Sequence, residues 1–92
     1  MTNNDIEIDK LLFYIAQEIK HIRKTKKVTQ DDLAFSLGVT PQYVGNIENG
    51  KEIKLSLKMY LKIAAYFEIS FSKVIENAQI RKQLDENMFN DD

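Results

Sequence analysis

Apolar residues recur along this chain at intervals of three and four, the period of a helix buried on one side, and not at the interval of two that marks a half-buried strand. Leu12, Ile15, Ile19 and Ile22 form the first stripe and predict a helix over about residues 8–26, with Asp5 or Asp9 placed to cap its start. Lys20, Arg23, Lys24, Lys26 and Lys27 fall toward its end, where cations suit the negative pole of the helix dipole. A second helix is expected from Thr29, whose hydroxyl can cap the backbone, with Asp32 three residues on in a near capping box. Leu33, Ala34 and Leu37 make its inner face, and Gly38 stops it in a left-handed conformation that other residues resist.

A third helix follows at once. Thr40 is its predicted N-cap, and Pro41 occupies the first helical position, where a missing N–H is harmless. Val44 and Ile47 point inward, and Asn49 and Gly50 end it. Ser56 caps a fourth helix, for which Leu57, Leu61, Ala64 and either Tyr60 or Phe67 are the expected core residues. Ser70 caps a fifth that buries Phe71, Val74 and Ile75. From Ala78 onward the tail either extends that helix, since Ile80, Leu84 and Met88 are spaced four apart, or frays. The expected fold is all-α, a compact five-helix domain over residues 12–76. Residues 1–11 extend the first helix and residues 77–92 form a tail.

Composition narrows the functions this fold can serve. Ninety-two residues suit one domain with a modest core, a poor base for a deep catalytic pocket. The chain has no cysteine, which excludes disulfides and thiolate metal ligands. No apolar run approaches the roughly 18 residues that span a bilayer. The start, MTNNDIEID, is polar and acidic, unlike a signal peptide, so a cytoplasmic location is expected and no membrane partner. The net charge of −1 conceals a segregated pattern. Residues 19–62 carry nine Lys or Arg against four acids, while both flanking segments are acidic. Such a middle can present one positive face to a polyanion, or be an ordinary solvated surface.

The most informative stretch is Thr29 to Gly50, TQDDLAFSLGVTPQYVGNIENG. Two helices separated only by Gly38, Val39 and Thr40 must cross steeply, which is helix-turn-helix geometry. Val44 and Ile47 anchor the second of them from beneath and leave its other face free for a major groove. On that face Gln42 and Asn46 lie four apart, and their amides can donate and accept at once, as bidentate contact with adenine requires. Two polar residues on a helix face are also what simple solvation produces.

In this stretch and its neighbours the chain resembles the Cro/cI-type helix-turn-helix regulators, the XRE family, over about Ile15 to Ile75. The matching pieces are the IRKTKKVTQ lead-in, the LAFSLGVT turn, IENGK after the third helix, and SLKMYLKIAAYFEIS. The resemblance implies a lambda-repressor-like fold and a transcriptional regulator, a repressor by expectation, that reads a short palindromic double-stranded DNA site through the helix at 40–49. It implies base contacts from Pro41, Gln42, Tyr43 and Asn46. Gln30, Thr40, Asn49 and Lys51 are the expected phosphate contacts, Gln30 also bracing the recognition helix. Arg23 and Glu48 match a pair that forms a salt bridge between the first and third helices. Lys26 and Lys27 either add long-range attraction to DNA or are simply solvated. The chain departs from the family in three places. Gly45 stands inside the recognition helix, Lys54 and Leu55 precede the fourth helix where the family often has Pro, and Glu68 replaces a frequent Gly between the fourth and fifth helices.

One recognition helix reads few base pairs, so a homodimer is expected. Phe71, Val74, Ile80, Leu84 and Met88 are the candidate surface for it, the alternative being that Phe71 and Val74 fill the monomer core. No catalysis, metal or cofactor is expected. His21 is the only histidine, and no Ser/His/Asp set, ligand cluster or Gly-rich phosphate loop is present. The competing reading keeps the same fold as an antitoxin or protein-interaction module, with the acidic end ENMFNDD held by a toxin or other protein partner, or disordered.

Overall fold

The computed structural model describes residues 2–52 and 54–90. They form five helices, with no strand among the described residues: α1 (Asn3–Thr25), α2 (Gln30–Leu37), α3 (Pro41–Glu48), α4 (Leu57–Tyr66) and α5 (Phe71–Asn90). No helix is long and apolar enough to cross a membrane among these residues.

Each helix starts where a hydroxyl can accept from the backbone of its own first turn. Thr29 accepts from the Asp32 N–H at 3.0 Å, Thr40 from Tyr43 at 3.1 Å, Ser56 from Met59 at 3.1 Å and Ser70 from Lys73 at 3.2 Å. The first helix begins earlier than its apolar stripe predicts. Thr2 is the cap, accepting from the Asp5 N–H at 3.2 Å, and the Asp5 carboxylate accepts in return from the Thr2 N–H. Asp5 therefore completes a capping box instead of capping alone, and Asp9 lies within the helix. The start is hard to read because Ile6 and Ile8 both face outward, at 41 and 56 % exposure, and make no stripe.

Two helices end on non-glycine residues in the left-handed region. Lys27 (φ 58°) follows α1, and Glu68 (φ 56°) follows α4. In both, the next N–H reaches back to close the helix, Val28 to the Arg23 carbonyl at 3.1 Å and Ile69 to the Ala64 carbonyl at 3.0 Å. Glu68, the departure from the family's glycine, thus adopts the conformation a glycine would have supplied without strain.

The core is one cluster drawn from all five helices: Ile15, Ile19 and Ile22, then Leu33, Ala34 and Leu37, Val44 and Ile47, Tyr60, Ile63 and Phe67, and finally Val74 and Ala78. Leu12 and Ile75 pack at its edge. The expectation for α4 needs correction. Leu57 and Leu61 are 64 and 50 % exposed; Ala64 faces inward as expected, with both Tyr60 and Phe67, and Ile63 joins them. This helix has apolar residues on two sides, and its rotation follows from packing against α2 and α5, not from its own pattern.

The tail does not fray. It continues α5 without a break to Asn90 and lies along α1. Polar contacts hold this seam. Tyr14 donates to Asp85 at 2.9 Å, Lys82 bridges Glu7 and Glu86, and the buried Glu18 carboxylate accepts from Arg81 at 2.8 Å and Asn77 at 3.2 Å. Phe71 is half-buried and stacks on Tyr60, and Val74 is 2 % exposed. Val74 belongs to the monomer's interior, so as a candidate for a subunit surface it is corrected, while Phe71 packs against the core and keeps part of its surface exposed. Ile80, Leu84 and Met88 stay outside, at 49, 58 and 76 % exposure. Asp91 and Asp92, the end of the acidic segment, lie outside the described residues.

Candidate nucleic-acid interface

The turn between α2 and α3 is set by Gly38, at φ 73° and ψ 31°, where conformation and not crowding favours glycine, since an added Cβ would meet no neighbouring atom. The Val39 N–H closes α2 by donating to the Ala34 carbonyl at 3.0 Å, and Thr40 already caps α3. With so short a link, α3 must turn sharply across α2. Its inner residues Val44 and Ile47 are buried in the same cluster as Leu33 and Ala34.

Glu48, at the end of α3, ties three helices together. Its carboxylate is almost fully buried, at 1 % side-chain exposure, and Arg23 of α1 grips it twice: Nε donates to Oε2 at 2.6 Å and Nη2 to Oε1 at 3.1 Å. The third guanidinium nitrogen, Nη1, donates to the Val28 carbonyl at 2.9 Å. Gln30 at the start of α2 donates from Nε2 to Glu48 Oε1 at 3.1 Å. A planar guanidinium fixes a carboxylate in both distance and plane. This buried charge therefore adds to the apolar contacts of Val44 and Ile47 in fixing α3 relative to α1 and α2. The resemblance implied that Gln30 braces α3; that Glu48 is its partner is not legible locally, since an amide 18 residues from a carboxylate carries no local signal.

Gly45, half-buried, lies beside this network. A Cβ built on it would meet the Gln30 amide at 3.7 Å, an ordinary contact. Gly50, which ends α3 at φ 75°, is held more tightly, since a Cβ there would approach the Phe13 ring to 3.0 Å.

The outer side of α3 carries Pro41 and Gln42, both exposed, at its start. Tyr43 and Asn46 are half-buried, Tyr43 because part of its ring packs at the core's edge. Thr40 uses an oxygen lone pair for the cap and keeps its O–H free to donate. Asn49 and Lys51 are exposed just beyond the helix, with the Lys51 N–H closing it onto the Asn46 carbonyl at 2.9 Å.

This arrangement, an exposed polar rod held at a fixed pitch by a three-residue turn and a buried ion pair, can be compared with known proteins. The helix-turn-helix family model matches residues 19–74. The chain belongs to the helix-turn-helix family. These are DNA-binding transcriptional regulators of the XRE type. The chain is 39 % identical over 57 residues to an uncharacterized helix-turn-helix-type transcriptional regulator of Methanocaldococcus jannaschii, an alignment covering 62 % of this chain and 85 % of that protein. Its fold matches the crystal structure of the clp gene regulator ClgR from Corynebacterium glutamicum with a TM-score of 0.82 at 21 % identity, over 87 % of this chain and 84 % of that one. The helix-turn-helix segment matched by the family contains Arg23, Gln30, Glu48 and every residue expected to touch DNA. Residues 3–18 of α1 and most of α5 lie outside it, and these are the parts joined by the polar seam.

The seam contains groups the sequence reading missed. Glu18, Asn77 and Arg81 come together across 59 and 63 residues of chain. Their only signal was an acid within an otherwise apolar stripe of α1, which reads equally well as a surface residue.

Proposed function

We propose that this chain is a sequence-specific double-stranded DNA-binding regulator that represses transcription by occupying a short palindromic site as a homodimer. The observation that carries this reading is the presentation of α3. Pro41 and Gln42 stand exposed at its start, while the other end of the same helix is clamped by Arg23 and Gln30 through Glu48. A helix held in that way can offer base-reading amides at a reproducible depth. In this reading Gln42 and Asn46 contact base edges, with Pro41 and Tyr43 alongside. Gln30, Thr40, Asn49 and Lys51 take backbone phosphates. The Gln30 amide has a second N–H besides the one given to Glu48, so bracing and phosphate contact are compatible. Family membership and the archaeal relative's description as a transcriptional regulator support the same assignment.

Ile80, Leu84 and Met88 form an exposed apolar line along α5 and are the proposed contact with a second copy. Selection of bound duplexes from random DNA tests the whole reading. A consensus with two inverted half-sites about one helical turn apart is the expected result. Recovery of no consensus, or of one asymmetric half-site, would overturn palindromic recognition.

A further inference from the structure

On the flank of the domain, α1, the end of α3 and Arg81 of α5 enclose a cleft that none of the proposed DNA contacts except Asn49 reaches. Lys20, His21 and Lys24 line its α1 wall, and Glu48 and Asn49 line its α3 wall. The charges in it are not balanced. Glu48 is already matched by Arg23, and Arg81 by Glu18. Among the described residues neither Lys20 nor Lys24 has an acidic partner, so two ammonium groups remain uncompensated. The carbonyls at the end of α3 do not cancel them, because Asn49, Gly50 and Lys51 N–H groups already cover the Gly45, Ile47 and Asn46 oxygens. Arg81, its side chain 36 % exposed and its Nη2 on Glu18, forms the α5 edge of the cleft.

We propose that this cleft binds a phosphate group. Two lysines unpaired among the described residues and the Asn49 amide, with the Glu18-paired Arg81 at the edge, supply what a phosphate dianion needs, point charges together with an N–H donor. Two sources share the chemistry. One is a backbone phosphate of DNA running past the end of α3, which rests on the DNA-binding reading above. The other is a phosphorylated small molecule, which does not.

Inorganic phosphate is the probe. The full chain, labelled with 15N, is titrated at constant ionic strength against a chloride control, and Lys20→Gln/Lys24→Gln is titrated in parallel. Saturable shifts at the backbone amides of Lys20, Lys24 and Asn49, lost in the double variant, are expected. The same two proteins are then bound to duplex DNA over a range of salt. A salt slope lower by about one in the variant assigns the cleft to a DNA phosphate, and an unchanged slope alongside lost phosphate binding assigns it to a free ligand. Phosphate shifts no larger than those of chloride, together with equal salt slopes, would overturn the proposal. If the protein binds no DNA at all, the titration still decides the cleft on its own. The thermal midpoint of the double variant separates lost binding from lost folding.

Discussion

Arg23 and Glu48 meet in the interior in a paired grip, Nε on Oε2 at 2.6 Å and Nη2 on Oε1 at 3.1 Å, with side-chain exposures of 10 and 1 %. A buried pair of this kind adds little over a well-packed apolar one, but breaking it leaves a charge without a partner. Glu48→Gln is expected to lose about 3 kcal/mol of stability in urea denaturation. It should lose more DNA affinity than Arg23→Lys, which keeps the charge and loses the fork. Stability within about 0.5 kcal/mol of wild type would show that α3 is held by its apolar face alone.

Gln42 and Lys51 sit at opposite ends of α3 and should fail in different ways. Gln42→Ala is expected to reduce affinity for the selected site by about 1–3 kcal/mol while leaving non-specific binding intact. Lys51→Ala should weaken all sequences alike and reduce the salt slope by about one. Titrations of specific and scrambled duplexes at several salt concentrations read both effects. Identical losses on both duplexes for Gln42→Ala would remove it from the base-reading set.

Glu68 holds φ at 56° on an exposed surface, where the left-handed region disfavours any side chain. Glu68→Gly should therefore raise stability by about 0.5–1 kcal/mol and leave DNA binding unchanged. A lower thermal midpoint would mean that the added freedom of the unfolded chain outweighs the relief of strain.

The α1–α5 seam is sensitive to pH at both ends of the range. Hydrogen bonding to Lys82, helped by the charge of Lys10, holds the Glu7 carboxyl below its ordinary 4.5. A depressed carboxyl stabilises the fold above that ordinary value, and the contribution disappears as pH falls through the folded one. The hydrogen bond to Asp85, with burial, raises the Tyr14 hydroxyl above 10.0, and Glu7 and Glu86 raise Lys82. Those contributions are present in neutral solution and are lost as pH climbs past 10. The thermal midpoint of wild type should thus exceed that of Glu7→Gln at pH 6, and the gap should narrow by pH 3.5. A gap that is constant with pH would mean that the Glu7–Lys82 contact contributes nothing through charge.

Leu84 is 58 % exposed in the middle of the proposed subunit contact. Leu84→Glu should weaken self-association at least about tenfold without lowering the stability of the monomer. Sedimentation equilibrium across a concentration series provides the measurement. Wild type and variant giving the same monomeric mass at all concentrations would exclude this face.

Local chemistry was enough to announce much of this domain. A hydroxyl or glycine at a helix boundary acts within three or four residues, so Thr29, Gly38, Thr40, Ser56 and Ser70 marked their helices before any folding was considered. The inner faces of α2 and α3 were legible from the spacing of Leu33, Ala34 and Leu37 and of Val44 and Ile47, although Phe35 on the outer face of α2 is 89 % exposed. Other features depended on distance through space. Leu57 and Leu61 lost the core to Tyr60 and Ile63 once α4 had settled against its neighbours. Gln30 found Glu48, and Glu18 found Arg81, only when separate helices came together. The tail became an ordered arm only because α1 offered it a partner. Periodicity and capping report what a segment does by itself, whereas rotation about a helix axis and the pairing of remote charges are decided by the whole packed molecule.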